Sequence, residues 1–305
     1  MEFDIGVYTV IPSIFKESDV HELNLDEILN LINFQIDSGI KNIVLLGTTS
    51  ETPTLTDEEQ DLIVKSVWEK FNGKVKIIVG IGGNNSRKTV ENGIKYFSFC
   101  DAFMVTVPYY NKPSQNGILK HFEYIAEYFE DKPLMLYNVP SRCGVSMSAE
   151  VVANLFYKYS NVKAIKEASG SLSLAQEIIN LCDITVLSGD DSNTLPIMSV
   201  GGKGVVSVAS NIIPVELLTL INYFKENKLK DAIELNKKLY PIFKNLFIDT
   251  NPGPLKLMLK LLNITKNDSV RLPLVEMSNQ KNILILEELA KNINEIYKNF
   301  KNASV

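Results

Sequence analysis

A lysine at the end of a short apolar run is the residue in this sequence best suited to covalent chemistry. Val162, Ala164 and Lys166 lie two positions apart, so in a β-strand their side chains share one face. Two small apolar residues followed by an amine predict that Lys166 enters a confined, mostly dry space. Burial disfavours the ammonium form, and a neutral amine can attack a carbonyl carbon to form a Schiff base. A solvated surface lysine is the alternative.

Eight short β-branched or apolar runs predict the elements that position this lysine. They lie at 6–11, 42–46, 75–79, 102–107, 134–137, 162–165, 184–187 and 205–208. Amphipathic helical patterns lie between them, for example at 25–36, 57–71 and 115–129. Strands that alternate with helices predict βαβ units and a parallel sheet. Eight such units favour a (β/α)8 TIM barrel, and a doubly wound open sheet is the alternative.

Helix starts and the end of the chain complete the predicted architecture. Thr56 and Glu59 form a capping-box pattern, and Ser86 and Ser148 are expected to open helices in the same way. After the eighth run, helical patterns continue without strands at 214–226, 229–247, 254–262 and 280–300. We therefore expect a catalytic barrel at residues 1–212 and an all-helical domain at 213–305 that also serves subunit contacts. Helices that simply cover the barrel are the alternative.

Composition narrows the classes of function. The chain has 305 residues, 45% of them hydrophobic and 22% charged, and a formal net charge of −5. This balance argues against a nucleic-acid partner, which would require a basic patch or stripe. The first residues are acidic where a secretory signal needs positive charge, and no apolar run approaches the roughly 20 residues of a membrane helix. We expect a cytoplasmic protein with no membrane partner.

Cysteine and histidine usage disfavours several alternative chemistries. Cys100, Cys143 and Cys182 are odd in number and widely spaced, which indicates reduced thiols rather than disulfides or a zinc site. Two distant histidines, His21 and His121, cannot build a histidine-rich catalytic metal site. No serine lies in a G-x-S-x-G turn, so a Ser-His-Asp hydrolase is also disfavoured. We expect no metal ion.

The ends of the predicted strands bring polar and aromatic residues together. In a (β/α)8 barrel the catalytic groups lie at the carboxyl ends of the strands and in the loops that follow. These segments are 47–51, 80–85, 108–111, 137–142, 188–191 and 207–209, together with Lys166. One face of the barrel would collect them into a single site. The glycine-rich segment 80–85 has Asn85 at the third glycine position of a dinucleotide-binding fingerprint, so it predicts a tight turn and no cofactor.

Three hydroxyl groups and one guanidinium in these segments suit Schiff-base chemistry. Thr48, Tyr110 and Tyr137 can each donate and accept a hydrogen bond, so a chain of hydroxyls could move the protons that carbinolamine and enamine steps require. Buried tyrosines and turn-capping threonines are common, which is the structural alternative. The planar fork of Arg142 suits a carboxylate bidentately, and a solvated arginine is the alternative.

Several long motifs, in order, resemble one family. They are GTTSE at 47–51, PYYNKP at 108–113, YNVPSR at 137–142, IKEASG at 165–170 and GDD at 189–191, joined by NP at 251–252 and RLP at 271–273. The chain resembles the dihydrodipicolinate synthase family from about residue 5 to Pro273. This family belongs to the pyruvate-dependent class I aldolase superfamily, together with N-acetylneuraminate lyase. The resemblance implies a (β/α)8 barrel with a C-terminal helical domain, usually in a tetramer built from two tight dimers.

The resemblance also implies a role for individual residues. Lys166 matches the lysine that takes pyruvate as a Schiff base, and Tyr137 matches the tyrosine beside it. Thr48 and Tyr110 complete a proton relay, with Tyr110 expected to reach into the neighbouring subunit's site. The implied reaction condenses pyruvate with L-aspartate 4-semialdehyde in the diaminopimelate route to lysine, without a cofactor. The residues that match substrate contacts are Thr49, the Gly189 and Val206 backbones for pyruvate, and Arg142 for the carboxylate of the semialdehyde.

Some positions depart from the family pattern. Ser50 stands where glycine is usual, Cys143 where threonine is usual, and Ile11 precedes Pro12 where threonine is usual. These are the positions at which the edge of the site would differ from that of relatives. The first two are small residues that we expect to be tolerated, and Ile11 is expected to perturb the edge of the site slightly.

The pocket between subunits where lysine binds in regulated members also departs from the pattern. Those members have an acid at the position of Lys88 and histidines at those of Asp57 and Gln60. Lys88 would repel the ammonium group of a lysine effector, and Asp57 would offset this only in part. We therefore expect weak or absent inhibition by lysine.

Two other functions remain as alternatives at this stage. A sister activity, N-acetylneuraminate lyase or a 2-keto-3-deoxy sugar acid aldolase, would use the same Schiff base on a different aldehyde. Arg142 favours the small charged aldehyde, because sugar-cleaving relatives tend to lack arginine there. A barrel that only binds keto acids or scaffolds an assembly is the non-catalytic alternative, and the presence of Lys166, Tyr110, Tyr137 and Arg142 together argues against it.

Overall fold

Eight parallel strands close into a barrel in the part of the chain that the structure describes. The structure is a computed structural model that describes residues 1–16 and 22–303, with side chains described only as far as residue 293 within the last helix; His21 lies outside the described residues. The strands are β1 Gly6–Val10, β2 Asn42–Leu45, β3 Lys76–Gly80, β4 Ala102–Thr106, β5 Leu134–Asn138, β6 Val162–Glu167, β7 Thr185–Ser188 and β8 Gly204–Ser207. Each strand pairs with the next along the chain, and β8 pairs with β1. The predicted TIM barrel is confirmed.

Helices surround this barrel in the order that the sequence patterns predict. They are α1 Leu25–Asp37, α2 Asp57–Phe71, α3 Ser86–Tyr96, α4 Gln115–Tyr128, α5 Pro140–Cys143, α6 Ala149–Lys158, α7 Leu172–Leu181, α8 Thr194–Ser199, α9 Pro214–Lys225, α10 Leu229–Asn245, α11 Gly253–Leu261 and α12 Gln280–Ala303. No helix among the described residues is long and apolar enough to cross a membrane.

Two of the three predicted N-caps are confirmed; the third helix begins at Ser86 as predicted, but its cap is the residue before. Thr56 Oγ1 accepts from the Glu59 amide at 3.2 Å and Glu59 accepts from the Thr56 amide at 2.9 Å, which completes the capping box. Ser148 accepts from the amide of Val151, as expected of an N-cap. At α3 the cap is Asn85 and not Ser86, because the Asn85 side chain accepts from the amides of Arg87 at 3.0 Å and Lys88 at 3.2 Å. Ser86 is the first helical residue instead.

Closure of the barrel requires the smallest residue at one position. Gly6 in β1 lies opposite Gly204 in β8, and Gly204 has a φ of +130°. A Cβ atom on Gly204 would lie 2.0 Å from the carbonyl oxygen of Gly6. Only glycine therefore allows the first and last strands to approach closely enough to pair.

The helices after β8 serve two different roles. α9 packs against β1 and α10 packs against α9, while α12 packs against both α10 and α11. Because α9 lies directly on a barrel strand, it completes the outer layer of the barrel. The helices from α10 onward extend beyond that layer, and α10 reaches over the carboxyl ends of the strands. The proposed domain division at residues 212 and 213 stays a prediction.

Candidate active site

A cavity of about 400 Å³ opens at the carboxyl ends of the strands. Six of the predicted site residues line it: Lys166, Tyr137, Thr48, Thr49, Arg142 and Gly189. The strands and their loops also contribute Val139, Ser141, Ala168, Asp190, Ser192 and Val208, and α10 with the residues after it contributes Tyr240, Phe243, Lys244, Phe247 and Asn251. The cavity therefore lies between the barrel and the helical segment that follows it.

Lys166 lies at the end of β6 with 6% of its surface exposed. Parallel pairing places it directly opposite Tyr137 of β5, and its Nζ lies 4.3 Å from the centre of the Tyr137 ring. Among the described residues no carboxylate forms an ion pair with Lys166. The amine is thus enclosed beside an aromatic face and lines the cavity, where a carbonyl compound could reach it.

Glycine at position 189 makes room for the extended lysine side chain. A Cβ atom on Gly189 would lie 3.1 Å from both Cγ and Cε of Lys166 and 2.5 Å from Cβ of Ala168. A residue larger than glycine at this position would therefore displace the Lys166 side chain or the backbone that carries it. The Gly189 backbone is held by a hydrogen bond from its amide to the Glu167 carbonyl at 2.8 Å.

The carboxylate next to the lysine faces the other side of the strand. Glu167 accepts from Asn138 Nδ2 at 2.8 Å and from the amide of Ser169 at 2.6 Å. Burial raises the pKa of Glu167, while these two donors oppose that shift. Because adjacent strand residues point to opposite faces, Glu167 anchors β6 to β5 without neutralising Lys166.

The loop after β2 forms a 3₁₀ turn, Thr48–Ser50, that presents two threonines to the cavity. Thr49 is buried, and its Oγ1 accepts a hydrogen bond from Asn251 Nδ2 at 3.0 Å. Asn251 precedes α11, is 5% exposed and also lines the cavity. Its Oδ1 is buried and has no hydrogen-bond partner among the described residues. Sequence reasoning noted Asn251 only as part of a family motif and did not place it in the site.

Two of the departures from the family pattern contact each other. The Ser50 hydroxyl donates to the carbonyl oxygen of Ile11 at 2.7 Å, and the Ser13 hydroxyl donates to the Ser50 carbonyl at 2.7 Å. Ser50 is 3% exposed. The hydroxyl that replaces a hydrogen atom at this position is therefore satisfied, and it ties the loop after β2 to the loop after β1.

Arg142 lies at the mouth of the cavity. It belongs to the one-turn helix α5, which ends at Gly144 with a φ of +72°. The side chain is exposed and forms no ion pair with any described residue. Arg142 also lines a neighbouring groove of about 530 Å³, so it stands between two concave surfaces. A free guanidinium in this position can receive a carboxylate.

Two predicted site residues do not line this cavity. Tyr110 is 84% exposed and has a φ of +74°, so its ring extends away from its own barrel. Val206 is buried within β8, and Val208, two residues later, lines the cavity. The roles assigned to these two residues stay predictions.

The neighbouring groove contains the three residues that the resemblance associates with lysine binding in regulated members. Asp57, Gln60 and Lys88 all line it. Lys88 is exposed and lies 3.8 Å from a carboxylate oxygen of Glu91, one turn further along α3. Asp57 lies 4.0 Å from Lys95. The groove thus presents an ammonium group that is only weakly paired at its surface.

The three cysteines are not suited to nucleophilic chemistry. The three cysteines are free and buried, and burial raises the pKa of Cys100 to about 12 and that of Cys143 to about 11. Such thiols are poor nucleophiles, because the thiolate is the reactive form. Among the side chains that the structure describes, no three of His, Cys, Asp or Glu come together as metal ligands.

A buried aspartate joins the ends of β7 and β8. Asp191 accepts from the Ser207 hydroxyl and from the amides of Val208 at 3.2 Å and Ala209 at 3.0 Å. Desolvation raises the pKa of Asp191 to about 6, although these donors favour its charged form. The neighbouring Asp190 lines the cavity, so this network fixes the wall on the side of Gly189.

Comparison with known proteins shows one family throughout. The model of the Dihydrodipicolinate synthetase family matches residues 6–293. A 4-hydroxy-tetrahydrodipicolinate synthase from Methanococcus aeolicus is 42% identical over 278 residues, which are 90% of this chain and 94% of that protein. A dihydrodipicolinate synthase structure from Aquifex aeolicus is 38% identical, with a TM-score of 0.91 over 96% of this chain and 98% of that one. A DHDPS from Cyanidioschyzon merolae, solved with lysine bound, is 34% identical, with a TM-score of 0.91 over 96% and 100% of the two chains.

The buried Asp191 predicts a specific pH dependence of stability. Its pKa in the folded protein, about 6, exceeds the 3.8 of an unperturbed aspartate, so the folded state holds this proton more tightly than the unfolded chain. Protonation of Asp191 therefore raises the free energy of unfolding by about 3 kcal/mol at and below about pH 4. This stabilisation is lost as the pH rises through 6. The free energy of unfolding of Asp191→Asn should not fall over this pH range.

Urea unfolding between pH 4 and 7 measures the free energy of unfolding, and Asp131→Asn, at an exposed aspartate, is the control. Equal slopes for wild type and Asp191→Asn would contradict the assignment.

Proposed function

The chain belongs to the dihydrodipicolinate synthetase family, and from this premise we propose that it is a lyase that condenses pyruvate with L-aspartate 4-semialdehyde through a Schiff base on Lys166. The reaction yields 4-hydroxy-tetrahydrodipicolinate in the diaminopimelate route to lysine. The observation that carries the proposal is the buried amine of Lys166, which lies over the Tyr137 ring inside the cavity and has no anionic partner among the described residues.

The chemistry begins with attack of the neutral Lys166 amine on the ketone carbon of pyruvate. The resulting carbinolamine loses water to give an imine, which acts as an electron sink for the adjacent methyl group. Loss of a methyl proton gives an enamine, whose carbon forms the new bond to the aldehyde carbon of the second substrate. The amino group of that substrate then displaces Lys166 by transimination, which closes the ring and frees the enzyme.

The proton transfers require a donor and acceptor close to the imine. Tyr137 lies directly against Lys166, and Thr48 lines the same cavity, so both hydroxyls are available as shuttles. Thr49 and Gly189 line the cavity together with Lys166, and Thr49 and the Gly189 and Val206 backbones are the proposed contacts of pyruvate. Arg142 at the mouth is the proposed receiver of the semialdehyde carboxylate, since its guanidinium is exposed and unpaired among the described residues.

No observation favours the sister activity. A sugar-acid aldolase would use the same Lys166, but the named relatives reported above are dihydrodipicolinate or 4-hydroxy-tetrahydrodipicolinate synthases. A cytoplasmic location stays a prediction; the free, buried state of the three cysteines is what a reducing compartment would require.

The exposed Tyr110 supports a homo-oligomer. Its hydroxyl is the third member of the proposed relay, yet 84% of the residue is exposed and it lies outside the cavity of its own chain. Leu272 and Val275 are also exposed, at 78% and 69%, on a surface that includes Pro53. Exposed apolar surface of this kind is typical of subunit contacts. We propose a dimer in which each Tyr110 enters the neighbouring site, with two dimers forming a tetramer.

Replacing the proposed nucleophile should abolish turnover. Lys166→Met keeps the length and apolar character of the side chain but removes the amine, so kcat should fall by about 10³-fold or more. Borohydride reduction in the presence of pyruvate should label Lys166 of the wild type, as found by peptide mass mapping, and should leave Lys166→Met unlabelled. Lys163→Met is the matched control, because Lys163 lies on the other face of β6 and pairs with Glu2 at 3.4 Å. Full activity of Lys166→Met would refute the mechanism.

Subunit mixing tests whether Tyr110 acts in the neighbouring site. Tyr110→Phe and Lys166→Met should each be nearly inactive alone. In a hybrid dimer, one site combines an intact Lys166 with an intact Tyr110 from the other chain. Mixed, unfolded and refolded together, the two variants should regain roughly a quarter of wild-type activity, since half of the dimers are hybrids with one good site. No regain of activity would show that Tyr110 acts within its own chain, if it acts at all.

Inhibition by lysine should be weak or absent. Lys88 lines the groove beside the site and would repel the ammonium group of a lysine effector. Steady-state assays should therefore show little inhibition at submillimolar lysine, and Lys88→Glu should increase the sensitivity. Arg87→Glu is the control, since Arg87 is the neighbouring residue of α3 but does not line the groove. Strong inhibition of the wild type by submillimolar lysine would disprove this prediction.

A further inference from the structure

The loop that carries Thr48 and Thr49 is anchored by a buried carboxylate. Glu51 joins two 3₁₀ turns, Thr48–Ser50 and Thr52–Thr54, and has left-handed backbone angles of φ 53° and ψ 35°. Its side chain is completely buried. A non-glycine residue in this region is strained, so the surroundings must hold Glu51 in place.

The partner of this carboxylate comes from the far end of the chain. Lys256 of α11 pairs with Glu51 Oε1 and donates to the Ser269 carbonyl at 2.8 Å. The side chain of Lys256 is 1% exposed, and its Nζ lies 4.2 Å from the centre of the Phe15 ring. The other carboxylate oxygen of Glu51 accepts from the Arg271 amide at 2.9 Å. The ion pair is therefore excluded from solvent, and each of its charged groups also contacts a second group of the protein.

A second ion pair secures the following residues. The Arg271 guanidinium binds both carboxylate oxygens of Glu59, at 2.7 and 2.6 Å, and donates to the Thr54 carbonyl at 3.0 Å. Glu59 is also the N3 residue of the capping box of α2. Glu51 and Glu59 are thus each paired with a base of the C-terminal region, and these ion pairs hold both ends of the segment between β2 and α2.

The two members of the central pair depend on each other. Burial lowers the pKa of Lys256 to about 8, and the Glu51 carboxylate opposes this shift. A buried ion pair is weak evidence for net stability, because an apolar pair of similar volume is often as stable. Such a pair does, however, impose a defined geometry on the groups that carry it. Glu51, which the ion pair fixes, lies two residues after Thr49 and three residues after Thr48, and both threonines line the cavity.

We propose that the Glu51–Lys256 ion pair is a positioning device for the reaction: it fixes the loop after β2 so that Thr48 and Thr49 present their hydroxyls to the Schiff base. Glu51 and Lys256 do not line the cavity, so they are positioning residues and not catalytic residues. The inference rests on the proposed function, because it assigns a purpose to the loop of that site. If Lys256 has this role, α11 contributes to the geometry of the active site and does not only pack against the barrel.

Three variants test the proposal. Lys256→Met and Glu51→Gln each break the pair, and the double variant Glu51→Gln/Lys256→Met replaces it with a neutral pair of similar size. If the pair positions the threonines, kcat should fall about 10- to 100-fold in all three, since small displacements of catalytic groups have effects of this size. KM for pyruvate should rise, while KM for L-aspartate 4-semialdehyde, whose proposed contact is Arg142, should not change. Circular dichroism and urea unfolding establish that each variant is folded at the assay temperature.

The double variant separates positioning from stability. It leaves no unpaired buried charge, so its midpoint of unfolding should recover toward that of the wild type, while its kcat should stay low. Lys256→Arg keeps the charge and should retain more turnover than Lys256→Met. If Lys256→Met does not fold, the double variant and Lys256→Arg carry the comparison. A folded double variant with wild-type kcat and wild-type KM for pyruvate would overturn the proposal.

A matched control lies one turn further along the same helix. Lys260 pairs with Asp268 at 2.7 Å on the surface of α11. Lys260→Met should leave kcat and both KM values unchanged, and an equal loss of turnover in Lys260→Met and Lys256→Met would overturn the proposal. The wild-type assay distinguishes the two levels of inference. A wild type without condensation activity would refute the proposed function, whereas an active wild type with fully active variants would refute only the positioning role.

Discussion

Register between two parallel strands is the constraint on which the site depends. Pairing of β5 with β6 sets Tyr137 opposite Lys166, so the amine lies against an aromatic face at the carboxyl end of both strands. The adjacent carboxylate of Glu167 is turned to the other face by the alternation of the strand. A shift of one residue would exchange these two side chains and place an acid in the cavity. The closed barrel prevents such a shift, because every strand is held by two neighbours.

The chain beyond the barrel shapes the site as much as the strands do. Asn251 donates to Thr49 inside the cavity, Lys256 pairs with Glu51 beneath the same loop, and α10 supplies an aromatic wall. A loop built from two short 3₁₀ turns is therefore fixed from a region about two hundred residues away in sequence. Burial of charge at this junction requires full pairing, which ties the folding of the C-terminal region to the geometry of the loop.

The positions that bear on the edge of the site are of two kinds, buried and exposed. Ser50 and Ile11 are buried, and the Ser50 hydroxyl is satisfied by the backbone carbonyl of Ile11. Tyr110 and Lys88, in contrast, are exposed, and Lys88 lines the groove beside the site. Contacts within one barrel account for the buried pair, whereas the roles proposed for Tyr110 and Lys88 depend on what lies opposite them.

Local sequence determined the order of strands and helices, the capping box at Thr56 and the position of Lys166, because these follow from side-chain periodicity and from contacts a few residues apart. The motif resemblance added which loops meet at the cavity. The cap of α3 is also local, but Asn85 and Ser86 are both favoured cap residues, so the sequence pattern did not distinguish them and the structure shows that Asn85 is the cap. Tertiary structure alone decided that Lys256 pairs with Glu51, since a buried ion pair between residues 205 positions apart leaves no periodic signal in the sequence. Such a pair becomes visible only when folding brings both charges into the same dry space.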